Sequence, residues 1–180
     1  DCNNLSCKST NFEVQPLKET PMKSILFFLA FSIPLVISAQ SNFTEQDAKQ
    51  LVDTFFEGFH KGDTVMMRSV LAPSVRLQTA ASDKDGVAQL SDDSILNLLN
   101  AIANRPADQN WEERLLDYKV QVDGNIAHVW TPYEFWFNGN FSHCGANAFT
   151  IAKTEADWKI IHLIDSRRRE GCREWFFLRK

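Results

Sequence analysis

The sequence predicts an α+β domain in which helices come first and an antiparallel sheet follows, with the helices on one of its faces. Three observations lead there. Apolar residues recur at helical spacing in three stretches between positions 43 and 105. Residues 111–172 read instead as four runs rich in aromatic and β-branched residues. Those runs are joined by turns: Asp123-Gly124 and Asn138-Gly139 tolerate positive φ, and Thr154-Glu155-Ala156-Asp157 is a third tight connection.

The domain is expected over residues 43–172. Before it, Met22-Lys23, an apolar run over residues 24–37 and Ser38-Ala39-Gln40 follow the charged, apolar and small-residue order of a secretory signal peptide over 22–39. Cleavage is expected between Ala39 and Gln40. The run is shorter than the ~20 apolar residues of a spanning helix, and Pro34 interrupts it. Residues 1–21 are polar, lack an apolar period and are expected to have no fold of their own. Residues 173–180 form a tail carrying Trp175-Phe176-Phe177-Leu178. The expected destination is export, periplasmic or secreted, with no membrane contact after cleavage.

The helices are justified by their caps and stripes. Thr44 precedes Glu45 and Asp47, and Ala48, Leu51, Val52, Phe55, Phe56 and Phe59 share one face up to Gly62. Asp63 caps a short second helix that Pro73 stops. Val75, Leu77 and Thr79 alternate with Arg76 and Gln78 as a first strand. Residues 80–90 are polar and read as a loop. Ser91-Asp92-Asp93 caps a third helix carrying Ile95, Leu98, Leu99 and Ile102, which ends before Pro106.

Turn parity sorts the sheet into faces. The inner face takes Tyr118, Val120, Val122, Ala127, Val129, Tyr133 and Phe135, then Cys144, Ala146, Ala148 and Thr150, then Ile161, Leu163, Asp165 and Arg167. The outer face takes Trp130, Glu134, Trp136, His143, Phe149, Ile151, Trp158, Ile160 and Ile164. A single β-bulge would swap the faces beyond it. So apolar an outer face points to a homodimer joined sheet to sheet, or to the tail at 175–178 folding back over it.

Composition narrows the function classes. The formal net charge is −4, and it stays there once the three basic and three acidic residues of positions 1–40 are removed. No basic stripe suits nucleic acid. Cys144 and Cys172 are the two cysteines of the expected mature chain, and export invites a disulfide between them; the alternative is two unrelated thiols. Asn42-Phe43-Thr44 and Asn140-Phe141-Ser142 match glycosylation sequons, which act only in a eukaryotic secretory pathway. There is no His/Cys/acid cluster with metal spacing, no Gly-rich phosphate loop and no nucleophile elbow, so no cofactor is expected.

Several segments carry a family resemblance: His60-Lys61-Gly62-Asp63, Val70-Leu71-Ala72-Pro73-Ser74-Val75, the hairpin from Gly124 to Val129, Gly139-Asn140-Phe141-Ser142-His143, and Trp158-Lys159-Ile160-Ile161 with Asp165. On these the chain resembles the NTF2-like (SnoaL-like, cystatin-like cone) superfamily, in an exported bacterial branch. The resemblance implies a curved sheet wrapped around a long helix, with a pocket at the open end. Members range from isomerases, dehydratases and hydrolases to non-catalytic binders, and many pair sheet to sheet. Fold alone does not choose among these.

The candidate pocket residues are Phe55, Phe56, Tyr118, Tyr133, Phe135, Leu163, Asp165 and Arg167. Asp165 and Arg167 lie two apart on one strand and point the same way, as a pocket ion pair or as a structural salt bridge at the rim. Asp165 would serve as a base, with Arg167 facing an anion. His143 pairs with Glu134 on the outer face, unless a bulge turns it inward and makes it the base. Two functions follow: an exported module binding a small, partly apolar molecule, or a cofactor-free isomerase, dehydratase or hydrolase using Asp165 or His143.

Overall fold

The computed structural model describes residues 42–172. The signal peptide over 22–39, the segment 1–21 and the tail 173–180 lie outside the described residues. The order is α1 (Glu45–Lys61), α2 (Thr64–Val70), β1 (Leu71–Ser82), β2 (Ala88–Asp93), α3 (Ile95–Ala103), β3 (Trp111–Leu115), β4 (Lys119–Asp123), β5 (Ile126–Phe137), β6 (Asn140–Lys153) and β7 (Trp158–Arg168). The strands form one strongly curved sheet in the order β2-β1-β7-β6-β5-β3, and β4 also pairs with β5.

Local chemistry sets the helix ends. Thr44 and Asp47 form a reciprocal capping box at the start of α1, and Gly62 closes it in the left-handed region at φ 74°. Asp63 then accepts from the amides of Val65 and Met66 to start α2. The apolar stripe of α1 is buried: Val52, Phe55, Phe56 and Phe59 are at most 7% exposed. Phe55 and Phe56 meet Phe149 edge-on, at centroid distances of 6.1 and 6.0 Å, so the helix lies in the hollow of the sheet.

Four expectations need correcting. The sheet is mixed, because β1 runs parallel to β7 and fills the edge that the meander leaves open. Residues 80–90 are not one loop. β1 continues to Ser82, Asp83 and Gly86 turn the chain, and β2 pairs back on it. All six residues of β2 are exposed, so an apolar alternation never marks it. The cap of α3 is therefore Ser94, whose hydroxyl accepts from the Leu96 amide. The run from Trp111 is two strands, both pairing with β5, with residues 116–118 as the break.

The fourth correction concerns the faces. Phe137 pairs with Asn140 and Trp136 with Phe141, as a two-residue Asn138-Gly139 turn requires. Phe135 then pairs with His143, leaving Ser142 as an extra residue. From there β6 is reversed: His143, Asn147, Phe149 and Ile151 face inward, and Cys144, Ala146, Ala148 and Thr150 face outward. A second irregularity lies at the β6–β7 pairing, where Thr150 meets His162 but Ile151 meets Ile160. It offsets the first, so Leu163, Asp165 and Arg167 face inward, with Ile160 in place of Ile161. Phe149, Ile151 and Ile160 are fully buried core residues, not outer-face residues. Trp158 stacks on Phe43 at 3.8 Å. The outer face keeps Trp130, Trp136 and Ile164, all half-buried.

Cys144 and Cys172 form a disulfide with a Cα separation of 5.6 Å. It ties the end of the described chain to β6, on the face opposite the helix.

Candidate functional site

Where the hollow widens beyond α1, the inner face changes from apolar to polar. Cross-strand pairing explains how. Val129, Phe149, Leu163 and Leu77 form an apolar row across β5, β6, β7 and β1. The next inward row is Thr131, Asn147, Asp165 and Thr79. Beyond it come Tyr133, Gly145 and Arg167, then Glu113, Phe135 and His143. The strands thus deliver eight polar side chains to one region from distant points in the chain.

A cavity of about 270 Å³ opens there. Phe55, Phe56, Phe59, Trp111 and Phe135 form its apolar wall. Glu113, His143, Asn147, Asp165 and Arg167 form its polar end. A second cavity, of about 540 Å³, is lined by Arg68, Pro73, Val75, Ser94 and Leu96 and holds fewer polar groups.

Asp165 is the most heavily bonded carboxylate in this region. Thr79 Oγ1 donates to its Oδ1 at 2.6 Å; Tyr133 Oη and Arg167 Nε both donate to its Oδ2 at 3.1 Å. Its side chain is 11% exposed, against 52% for Arg167 at the mouth. Burial, with Asp165 and Glu113 nearby, raises the Tyr133 phenol pKa, so this hydroxyl stays protonated. The tyrosine ring lies against Gly145. A Cβ there would fall 1.7 Å from the Ser166 carbonyl oxygen and 2.7 Å from the ring, so only glycine fits.

His143 reaches the cavity because of the bulge at Ser142. Its ring stacks on Phe135 at 4.9 Å, and Ser142 Oγ lies 3.1 Å from Nδ1. Burial, helped by the Arg167 cation, lowers its pKa to about 4, so the imidazole is neutral at pH 7. The expected pairing with Glu134 does not form: Glu134 stands opposite Cys144 and accepts from Trp136 Nε1 at 3.1 Å.

Of the sequence candidates, the structure brings Phe55, Phe56, Phe135, His143, Leu163, Asp165 and Arg167 to the cavity wall. Tyr133 stands behind Asp165. Tyr118 is elsewhere: it donates to Asp53 on α1 beneath Lys49, outside the cavity.

Glu113 and Asn147 are the residues that sequence reading missed. Asn147 Nδ2 donates to Glu113 Oε1 at 2.6 Å. Burial pushes the Glu113 carboxyl up to about 8; Asp165 adds to this, while Asn147 and Arg167 oppose it. Its backbone N–H donates to His60 Nε2 at 3.0 Å. One signal was available. Glu113 alternates with Trp111 and Leu115, so a period of two places it inward, whereas the neighbouring Glu112 and Arg114 pair with each other outside. Among the described residues no group of His, Cys, Asp and Glu is arranged to hold a metal ion. Among them, too, no helix is long and apolar enough to cross a membrane.

A family model described as "putative lumazine-binding" matches residues 44–163. No curated protein matches the chain. Among solved structures, the chain is similar to an NTF2-like protein of unknown function from Shewanella baltica: 17% identity, 72% of this chain and 100% of that one, TM-score 0.51. It is similar to a putative dehydratase of the NTF2-like family from Streptomyces avermitilis: 15% identity, 69% and 95% covered, TM-score 0.52. The CaMKII hub of S. rosetta shares 17% identity over 70% of this chain and 98% of the hub, with TM-score 0.52. At these identities the likeness shows the fold alone.

Proposed function

Since the chain belongs to the family of that matching model, within the NTF2-like superfamily, we propose that its cavity binds a small, partly apolar, uncharged molecule. The observation that carries this reading is the cavity itself, with an aromatic wall at one side and convergent polar groups at the other. Charge narrows the ligand. Asp165 and Arg167 neutralise each other at 3.1 Å, and His143 is uncharged at pH 7. Nothing at the polar end is left to attract an anion strongly. The family description supports a flat heteroaromatic ligand.

Trp111 lines the cavity and provides a test. Neutral two-ring compounds are expected to change its fluorescence saturably in the wild type. In Leu98→Trp, which fills the space from α3, no saturable thermal shift should remain. Equal thermal shifts in the two proteins would count against the cavity as the site.

A second reading is proton-transfer catalysis without a cofactor. It is favoured by the inward turn of His143, whose neutral imidazole suits a base, within the same cavity as Asp165. Turnover of an enolisable carbonyl compound, lost in His143→Ala, would support it.

We also propose that the protein is exported. A disulfide at Cys144–Cys172 is supported where the compartment is oxidising. Pairing of two copies through the outer face would rest on Trp130, Trp136 and Ile164.

A further inference from the structure

We propose that Glu113 and Asn147 are the recognition pair of the cavity, with Glu113 donating a proton-bearing Oε2–H to the carbonyl oxygen of a flat, uncharged ring compound. This deepens, and rests on, the reading of the cavity as a ligand site.

The geometry assigns the proton. Asn147 Nδ2 donates to Oε1 at 2.6 Å, which makes Oε1 the acceptor. In a neutral carboxyl the hydrogen then sits on Oε2. Among the described residues, every fully buried side-chain nitrogen or oxygen has a partner. Oε2 has none there, so it is not fully buried, and Glu113 lines the cavity. A carboxyl donor meets a carbonyl oxygen well, whereas a ligand carboxylate would bring a net charge that the neutral surroundings do not balance. Phe56, Phe59, Trp111 and Phe135 supply flat apolar surface beside it.

The groups around Glu113 keep the proton in place. His143 and Asn147 face it from β6, Tyr133 from β5, and Asp165 with Arg167 from β7; Asp93 lies at the cavity's edge on β2. Asp165 accepts from three donors, and its proximity opposes a negative charge at Glu113. On the helix side, His60 Nε2 lies 3.0 Å from the Glu113 amide nitrogen and 3.1 Å from its carbonyl oxygen, so it holds the Glu113 backbone in either tautomer. Burial lowers the His60 pKa and favours the neutral ring. Arg105 in turn bonds the carbonyls of Phe59 and His60 at 3.3 and 2.8 Å, fixing the helix end that carries this histidine. His60 is thus a positioning residue for Glu113.

The test uses the full chain and 2-quinolinone, a neutral two-ring lactam that does not titrate between pH 6 and 9.5. Carboxyl ¹³C resonances of glutamate-labelled wild type and Glu113→Gln identify the Glu113 signal, and calorimetry reads the affinity. The expected result is a Glu113 midpoint near 8, with wild-type affinity falling about tenfold per pH unit above it. Glu113→Gln, which keeps an N–H donor, should bind within about threefold of wild type at pH 7 and lose the pH dependence. Glu113→Leu should lose about tenfold at pH 7 while melting cooperatively. A Glu113 midpoint below 6 would overturn the proton-bearing pair. So would Glu113→Leu binding as well as wild type, and the cavity would then remain a site with another recognition element. A midpoint near 8 without lactam binding by the wild type would instead overturn the ligand reading of the cavity.

Discussion

At the residue scale, the site depends on side chains whose states are set by burial. Glu113 has its pKa raised in the fold to about 8, from an ordinary glutamate value in the unfolded chain. Below pH ~4.5 both states are protonated and it has no effect on stability. Between that pH and about 8 the unfolded state binds fewer protons than the folded one, so stability falls as pH rises, and the loss levels off above 8. Urea unfolding should therefore show Glu113→Gln gaining on wild type from pH 5 to pH 9. A constant difference over that range would mean that Glu113 is not held neutral. Gly145 makes a second case. Its position allows no Cβ, so Gly145→Ala should cost about 2–3 kcal/mol or prevent folding, as a shift in the urea midpoint would record.

At the element scale, the bulge at Ser142 decides which half of β6 meets the helix. Alternation is strict only while pairing is regular, and one extra residue moves a whole strand from one face to the other. Phe149 is fully buried between Phe55 and Phe56, whereas Trp130 on β5 is half-buried on the opposite face. Phe149→Ala should cost about 3–5 kcal/mol in chemical denaturation. Trp130→Ala should cost clearly less in the isolated domain. The opposite ranking would restore the face assignment that unbroken alternation suggests. The same bulge gives His143 its place in the cavity, and thereby decides which histidine is available for chemistry.

At the scale of the whole molecule, the disulfide encloses the β6–β7 hairpin at a sequence separation of 28. Loop closure of that length suggests roughly 3 kcal/mol, so Cys172→Ser should lower the unfolding free energy by about that amount without removing secondary structure. Self-association is a separate matter. With Phe149, Ile151 and Ile160 in the core, the outer face is less apolar than regular alternation implies. Sedimentation of wild type and Trp130→Glu tests a dimer through that face: a dimer in the first and a monomer in the second is the expected outcome, and monomers in both would exclude it.

The starts of α1 and α2, the turn dipeptides and the apolar stripe of α1 were legible, because each depends on neighbours within a few positions. The sheet order at β1 and β2 was not, since β2 is exposed throughout and parallel pairing with β7 leaves no local mark. The bulge was illegible for a related reason: Ser142 is an ordinary strand residue, and only its pairing with β5 defines it as extra. Asp165 and Arg167 were visible because two irregularities offset each other before Leu163. Glu113 was passed over because its role comes from Asn147 and His60, which lie 34 and 53 positions away.

The most direct measurement of the central claim is an amide chemical-shift map of the full chain titrated with 2-quinolinone. The cavity account predicts saturable shifts centred on Glu113, Phe135, Asn147 and Leu163, on four strands that meet at this cavity. Shifts centred on Arg68, Pro73 and Leu96 in the second cavity, or no saturable shifts at all, would contradict it.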